Sequence, residues 1–186
     1  MKIPFSTARL VLRQPEESDV GPLMEMDADP EVMRYIGSGV AITPDRDRAL
    51  QAVARWRKQW DEQGFGMCSL IVGETGEYAG WVTLAVPAFL PEILPAVEIG
   101  WRLRRGHWGH GYATEAAAEL LRFGLTGAGL DRVVSIRHIG NARSERVMDK
   151  LGLRFEFTTT VPATGQPVAV HAITRQQAGL RGGAAN

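Results

Sequence analysis

The stretch from Glu98 to Ala116 constrains the fold more than any other. Glu98-Ile99-Gly100-Trp101-Arg102-Leu103 reads as a strand, Gly109-His110-Gly111 as a glycine-rich turn, and the residues after it as a helix. Across 111–127, Ala113, Ala116, Ala117, Leu120, Leu121 and Gly124 fall on or near one stripe. Small residues there let a helix backbone press closely against a sheet. Such a turn points consecutive backbone N–H groups outward, and the helix start adds a partial positive charge. Together they suit phosphate oxygens. Glycine leaves room for the ligand and tolerates positive φ. A tight turn with no ligand would look the same in isolation. Arg104 and Arg105 stand just upstream as candidates for charge-assisted contacts.

Two common phosphate loops do not fit. A Walker loop needs Gly-Lys-Ser or Gly-Lys-Thr after the turn, which is absent. A dinucleotide fingerprint needs a third glycine near the first strand of a parallel sheet. Here Thr114 follows Gly109-x-Gly111, late in the chain.

Around this centre the pattern alternates. Residues 9–13 form a short strand, and the acids of Pro15-Glu16-Glu17-Ser18-Asp19 open a helix carrying Val20, Leu23 and Met24. Asp29-Pro30 breaks it and starts a second helix through Ile36. Thr43-Pro44 caps a third, of about 18 residues, with Ala49, Val53, Trp56 and Trp60 on one face and Gly64 ending it. Strands follow at 67–72, 78–86, 96–103, 132–137, 153–161 and 167–174, with a helix over 141–151. These elements predict one mixed α/β domain over 1–174 and a flexible tail over 175–186.

Lys+Arg and Asp+Glu number 21 each, so no basic excess supports general nucleic-acid or membrane-surface binding. The single cysteine, Cys68, lies in a strand pattern and reads as a buried, inert thiol. It forms no intrachain disulfide, and with no signal-peptide pattern at the start the chain is expected in the cytoplasm. No apolar run approaches membrane-spanning length. His107, His110 and His138 show no metal-ligand spacing, so no metal is expected.

Thirty positions after the turn, Asn141-Ala142-Arg143-Ser144 opens a helix that closes on Lys150-Leu151-Gly152-Leu153. Asn141 suits an N-cap, and Ser144 and Met148 follow on roughly the same face. The combination Trp108-Gly109-His110-Gly111-Tyr112-Ala113-Thr114-Glu115-Ala116, then Asn-x-x-Ser and Lys-Leu-Gly, resembles the GCN5-related N-acetyltransferase (GNAT) superfamily. Within it, the chain looks like the RimJ/RimL-like branch, whose first strand is similar to Thr7-Ala8-Arg9-Leu10-Val11-Leu12-Arg13. The resemblance spans about residues 7–174.

That resemblance implies a single GNAT-like fold. Its central sheet is mixed, mostly antiparallel, flanked by helices and splayed at an acyl-CoA site. It implies acetyl-CoA as co-substrate and direct attack on its thioester by an amine, either a small molecule or a protein N-terminus. Cofactor contacts would fall on Trp108, Gly109, His110, Gly111, Tyr112, Ala113 and Thr114, on backbone near Ile99, Trp101 and Leu103, and on Asn141 and Ser144. Gly100 would mark a bulge or close approach where the pantetheine arm pairs with the strand. Glu98 is the candidate base, against a salt-bridged alternative with Arg102. Met148 occupies the position where many relatives carry a general-acid Tyr, so Ser144 or water would serve the leaving thiolate. The early helices and the 87–95 loop would line the amine site. Homodimerisation through sheet edges is a further implication. A non-catalytic acyl-CoA sensor is the competing reading.

Overall fold

A computed structural model describes residues 5–180. One eight-stranded sheet runs in the order β1-β2-β3-β4-β5-β6-β8-β7. Its strands are β1 (Phe5–Ser6), β2 (Leu10–Arg13), β3 (Met67–Val72), β4 (Tyr78–Ala85), β5 (Glu98–Leu103), β6 (Arg132–His138), β7 (Arg154–Thr160) and β8 (Pro167–Thr174). All neighbours pair antiparallel except β5 and β6. The helices are α1 (Val20–Asp27), α2 (Pro30–Met33), α3 (Arg46–Gln63), α4 (Tyr112–Thr126) and α5 (Ala142–Lys150). The expected mixed, mostly antiparallel sheet flanked by helices is what forms.

The two faces of the sheet bury different clusters. Leu12, Leu70, Val82, Leu84 and Ile99 pack against Ala116, Ala117 and Leu120 of α4. Gly124 lets this happen, since a Cβ there would lie 2.9 Å from Leu84 Cδ1. Val20, Leu23 and Met26 of α1 meet Ala49 and Val53 of α3, with Trp56 and Trp81 against them. Trp60 turns into the core beside Phe5 and Phe123, and its indole N–H donates to Met67 O at 2.6 Å.

Several boundaries move for local reasons. α3 is capped by Asp45, not Thr43, because the Asp45 carboxylate accepts from Arg48 N and Pro44 stays outside the helix. α2 ends at Met33, ahead of the expected Ile36, and a turn with positive-φ Gly37 and Gly39 follows. Gly100 sits in regular register opposite Thr83 and marks no bulge. The irregularity lies between β3 and β4, where Gly80 (φ 146°) passes so near β5 that a Cβ would be 2.2 Å from Arg102 O. The expected flexible tail is docked as far as Leu180: Arg175 donates to Leu130 O, and Ala178 and Leu180 pack on the core. The rest of that tail, 181–186, lies outside the described residues. Among the described residues no helix is long and apolar enough to cross a membrane.

Candidate active site

Strands β5 and β6 pair at a single position, Glu98 with Val134. Val134 N donates to Val97 O, and the buried Ser135 hydroxyl donates to Ile99 O at 2.8 Å. Past that vertex the strands part, so one edge of β5 is left open inside the sheet. Backbone groups alternate sides along a strand. Val97 and Ile99 turn theirs toward β6, and Arg104 N bonds Ala79 O on the β4 side. Trp101 and Leu103 therefore also face the gap. Leu103 O is held by the Trp108 indole N–H at 2.9 Å, which leaves Trp101 N–H and C=O and Leu103 N–H facing open space.

The glycine turn lies at the mouth of this gap. A short 3₁₀ turn over Arg105–His107 precedes it. Gly109 and Gly111 take φ 81° and 82°, a conformation that disfavours any residue with a Cβ. Gly111 caps α4 without a side-chain bond. Among the described residues, the N–H groups of Gly109, His110 and Gly111 meet no protein acceptor, and the first turn of α4 adds its own unpaired donors. A Cβ on Gly109 would meet nothing within 4 Å. This is a helix end without a side-chain cap, whose partial positive charge and free N–H groups suit phosphate oxygens. Arg104 and Arg105 do not supply the expected contacts here. Arg104 pairs with Glu25 at 2.6 Å and Arg105 with Asp29 at 3.1 Å, where they tie the α1–α2 segment to the end of β5.

Helix α5 closes the other side. The Asn141 carbonyl oxygen accepts from Ser144 N at 3.1 Å. Asn141 is therefore a helix cap, with its amide N–H₂ available to a ligand. Ser144 is half-buried, whereas Met148 is fully buried in the core. A contact not foreseen from the sequence joins the two motif segments: the Arg143 guanidinium lies 4.7 Å from the Trp108 ring centre.

Glu98, Gly100 and Arg102 face the α1–α3 side of the sheet. The expected alternative partner of Glu98 is engaged elsewhere, since Arg102 pairs with Asp27 at 2.6 Å and lies over the Trp81 ring. Burial pushes the Glu98 carboxyl from 4.5 up to about 8, opposed by the Ile136 N–H, which favours the ionised form. Its carboxyl therefore reaches across the vertex toward β6. On the same face, Met33, Ile36, Val40, Ile42, Asp45 and Arg48 line a groove of about 700 Å³. Tyr35 stacks on His138 with ring centres 5.2 Å apart, bracing this segment against the end of β6. Of the residues expected at the amine site, Phe89 is exposed, whereas Trp60 belongs to the core. Burial raises the Cys68 thiol to about 12, so it takes no part. Among the described residues no cluster of three or more His, Cys, Asp or Glu is placed to hold a metal ion.

Residues 9–154 match the family model of the acetyltransferase (GNAT) domain. The chain is 33 % identical to the protein YkkB of Bacillus subtilis (strain 168), over 91 % of this chain and 95 % of that protein. It is 30 % identical to the FsC-acetyl coenzyme A-N(2)-transacetylase of Aspergillus fumigatus, over 83 % of this chain and 68 % of the relative. Among solved structures, an acetyltransferase from Agrobacterium tumefaciens str. C58 superposes with a TM-score of 0.76 at 25 % identity, covering 93 % of this chain and 95 % of that one.

Proposed function

Because the chain belongs to the acetyltransferase (GNAT) domain family, we propose that it moves an acetyl group from acetyl-CoA to a primary amine by direct attack in a ternary complex. The observation that carries this is the single-position pairing of β5 with β6 beside an uncapped α4. An extended pantetheine arm suits the free backbone groups of Trp101 and Leu103, as a missing strand would. The diphosphate suits the amides of 109–111 and the first turn through Tyr112, Ala113 and Thr114. Trp108 and Asn141 wall the arm.

The chemistry needs an unprotonated amine, a polarised thioester carbonyl and a proton for the departing thiolate. As the N–C bond forms and the C–S bond breaks, Glu98 accepts the amine proton, directly or through one water. A desolvated carboxylate near the operating pH is a stronger base than an exposed one. A backbone N–H on the open edge of β5 polarises the carbonyl. Ser144 or water supplies the thiolate proton, since Met148 is a core residue. Loop head Trp108 and the opening segment from Thr7 to Arg13 favour the RimJ/RimL-like branch. The buried, protonated thiol of Cys68 suits a cytoplasmic setting.

The acceptor lies on the Glu98 face, in the groove lined by Met33, Ile36, Asp45 and Arg48. The test is a panel of small primary amines and N-terminal peptides mixed with acetyl-CoA, with thiol release as readout. Amine-dependent release is expected for at least one class. Tight acetyl-CoA binding with no release across the panel would favour the sensor reading.

A further inference from the structure

The turn between β1 and β2 reaches the glycine loop more than a hundred positions away. Glu115 stands in the first turn of α4. Alone, its carboxylate would oppose an anion at the same helix end. Instead all its acceptor capacity turns the other way. Oε1 accepts from the Thr7 hydroxyl at 2.6 Å and from Arg9 N at 2.9 Å. Oε2 accepts from Arg9 Nε at 2.8 Å and lies 2.7 Å from Arg9 Nη2. Burial opposes ionisation of Glu115, but Thr7 and Arg9 outweigh it and hold the carboxyl below its ordinary value.

Arg9 has a second hand. Its Nη1 donates to His110 O at 2.9 Å. A trans peptide is planar, with C=O and N–H on opposite sides. Fixing the His110 carbonyl against Arg9 therefore turns Gly111 N–H away from Arg9, to the side from which a ligand approaches. The guanidinium also covers the Tyr112 ring at 4.9 Å. A Cβ on Gly111 would make only an ordinary contact with Arg9 Nη2, at 3.4 Å, so what glycine supplies there is the φ of 82°.

We propose that Arg9 is a positioning residue for the diphosphate of acyl-CoA: it aims the loop through the His110 carbonyl and neutralises Glu115, which would otherwise repel the ligand. This rests on acetyl-CoA being the donor. Because Arg9 acts on the phosphate end, its loss weakens donor binding without touching the acetyl end.

The test compares acetyl-CoA with S-acetylpantetheine, which has the arm and thioester but no diphosphate. Calorimetry measures acetyl-CoA binding, and turnover is followed for both donors. Arg9→Ala is expected to weaken acetyl-CoA binding about 10- to 30-fold, the scale of a charge-assisted contact at a partly exposed site. It should raise KM for acetyl-CoA far more than it lowers kcat, and change kcat/KM for S-acetylpantetheine by less than about twofold. Arg9→Lys should lie between the two. Arg9→Ala with Glu115→Gln should recover part of the loss, because the uncompensated carboxylate is gone. Wild-type affinity in Arg9→Ala, or equal losses on both donors, would overturn the latch. Failure of the wild-type chain to bind acetyl-CoA would instead overturn the donor assignment.

Discussion

A carboxylate desolvated by the fold should weaken it in a pH-dependent way, and Glu98 offers a direct measure. Its folded pKa is about 8 against an ordinary 4.5. Below 4.5 both folded and unfolded chains hold the proton, and Glu98 costs nothing. Between 4.5 and about 8 the unfolded chain releases its proton while the folded chain keeps it, so stability falls as pH rises. Above about 8 both are ionised and the penalty stays constant. Each pH unit in that window is worth about 1.4 kcal/mol, which sets a ceiling of about 5 kcal/mol. Glu98 as a residue is only half-buried, so screening and local relaxation reduce the effect to about 1–3 kcal/mol. Glu98→Gln removes the titration and keeps the shape. Urea unfolding of both proteins at pH 4, 6 and 9 should show the Gln variant gaining relative to wild type from pH 4 to 9, with most of the gain between 5 and 8. A stability difference that stays flat with pH would refute the desolvated-carboxylate argument.

Two further outcomes follow from the same geometry. With a responsive amine, kcat should rise with pH and level off above about 8, where Glu98 is ionised; Glu98→Gln should lower kcat about 100-fold and remove that inflection. Retention of the inflection in the variant would assign it to another group. Gly80→Ala should cost about 3 kcal/mol or more in thermal or urea unfolding, because the clash is with Arg102 backbone and the φ is one that side chains avoid. A neutral result would mean that β4 and β5 separate easily, against the packing described.

Local patterning carried much of this structure. The 18-residue α3 follows from periodicity, with Gly64 in a left-handed conformation ending the helix, and β8 from a short, nearly continuous apolar run. The glycine turn was legible because its left-handed conformation is a backbone property of a few consecutive residues. Strand β1 was not, since two residues show no period and Phe5 is fixed by distant partners, Leu12 across the ladder and the rings of Trp60 and Phe123. Arg104 and Arg105 looked like phosphate ligands because sequence gives distance along the chain; in space Glu25 and Asp29 are nearer and of opposite charge. The Arg9–Glu115 latch spans 106 positions and leaves no local signature. The raised pKa of Glu98 comes from burial in the folded chain, which no spacing within β5 encodes.

The donor site is tested most directly at Gly109. Asparagine tolerates the left-handed conformation better than other side-chain-bearing residues, so Gly109→Asn fills the open approach at little cost to the fold. Calorimetric titration with acetyl-CoA should show one site per wild-type chain and affinity at least about 100-fold weaker in Gly109→Asn, the loss expected when a side chain displaces phosphate from its backbone donors. Equal affinity in the two proteins, or none in the wild type, would contradict the assignment of this loop.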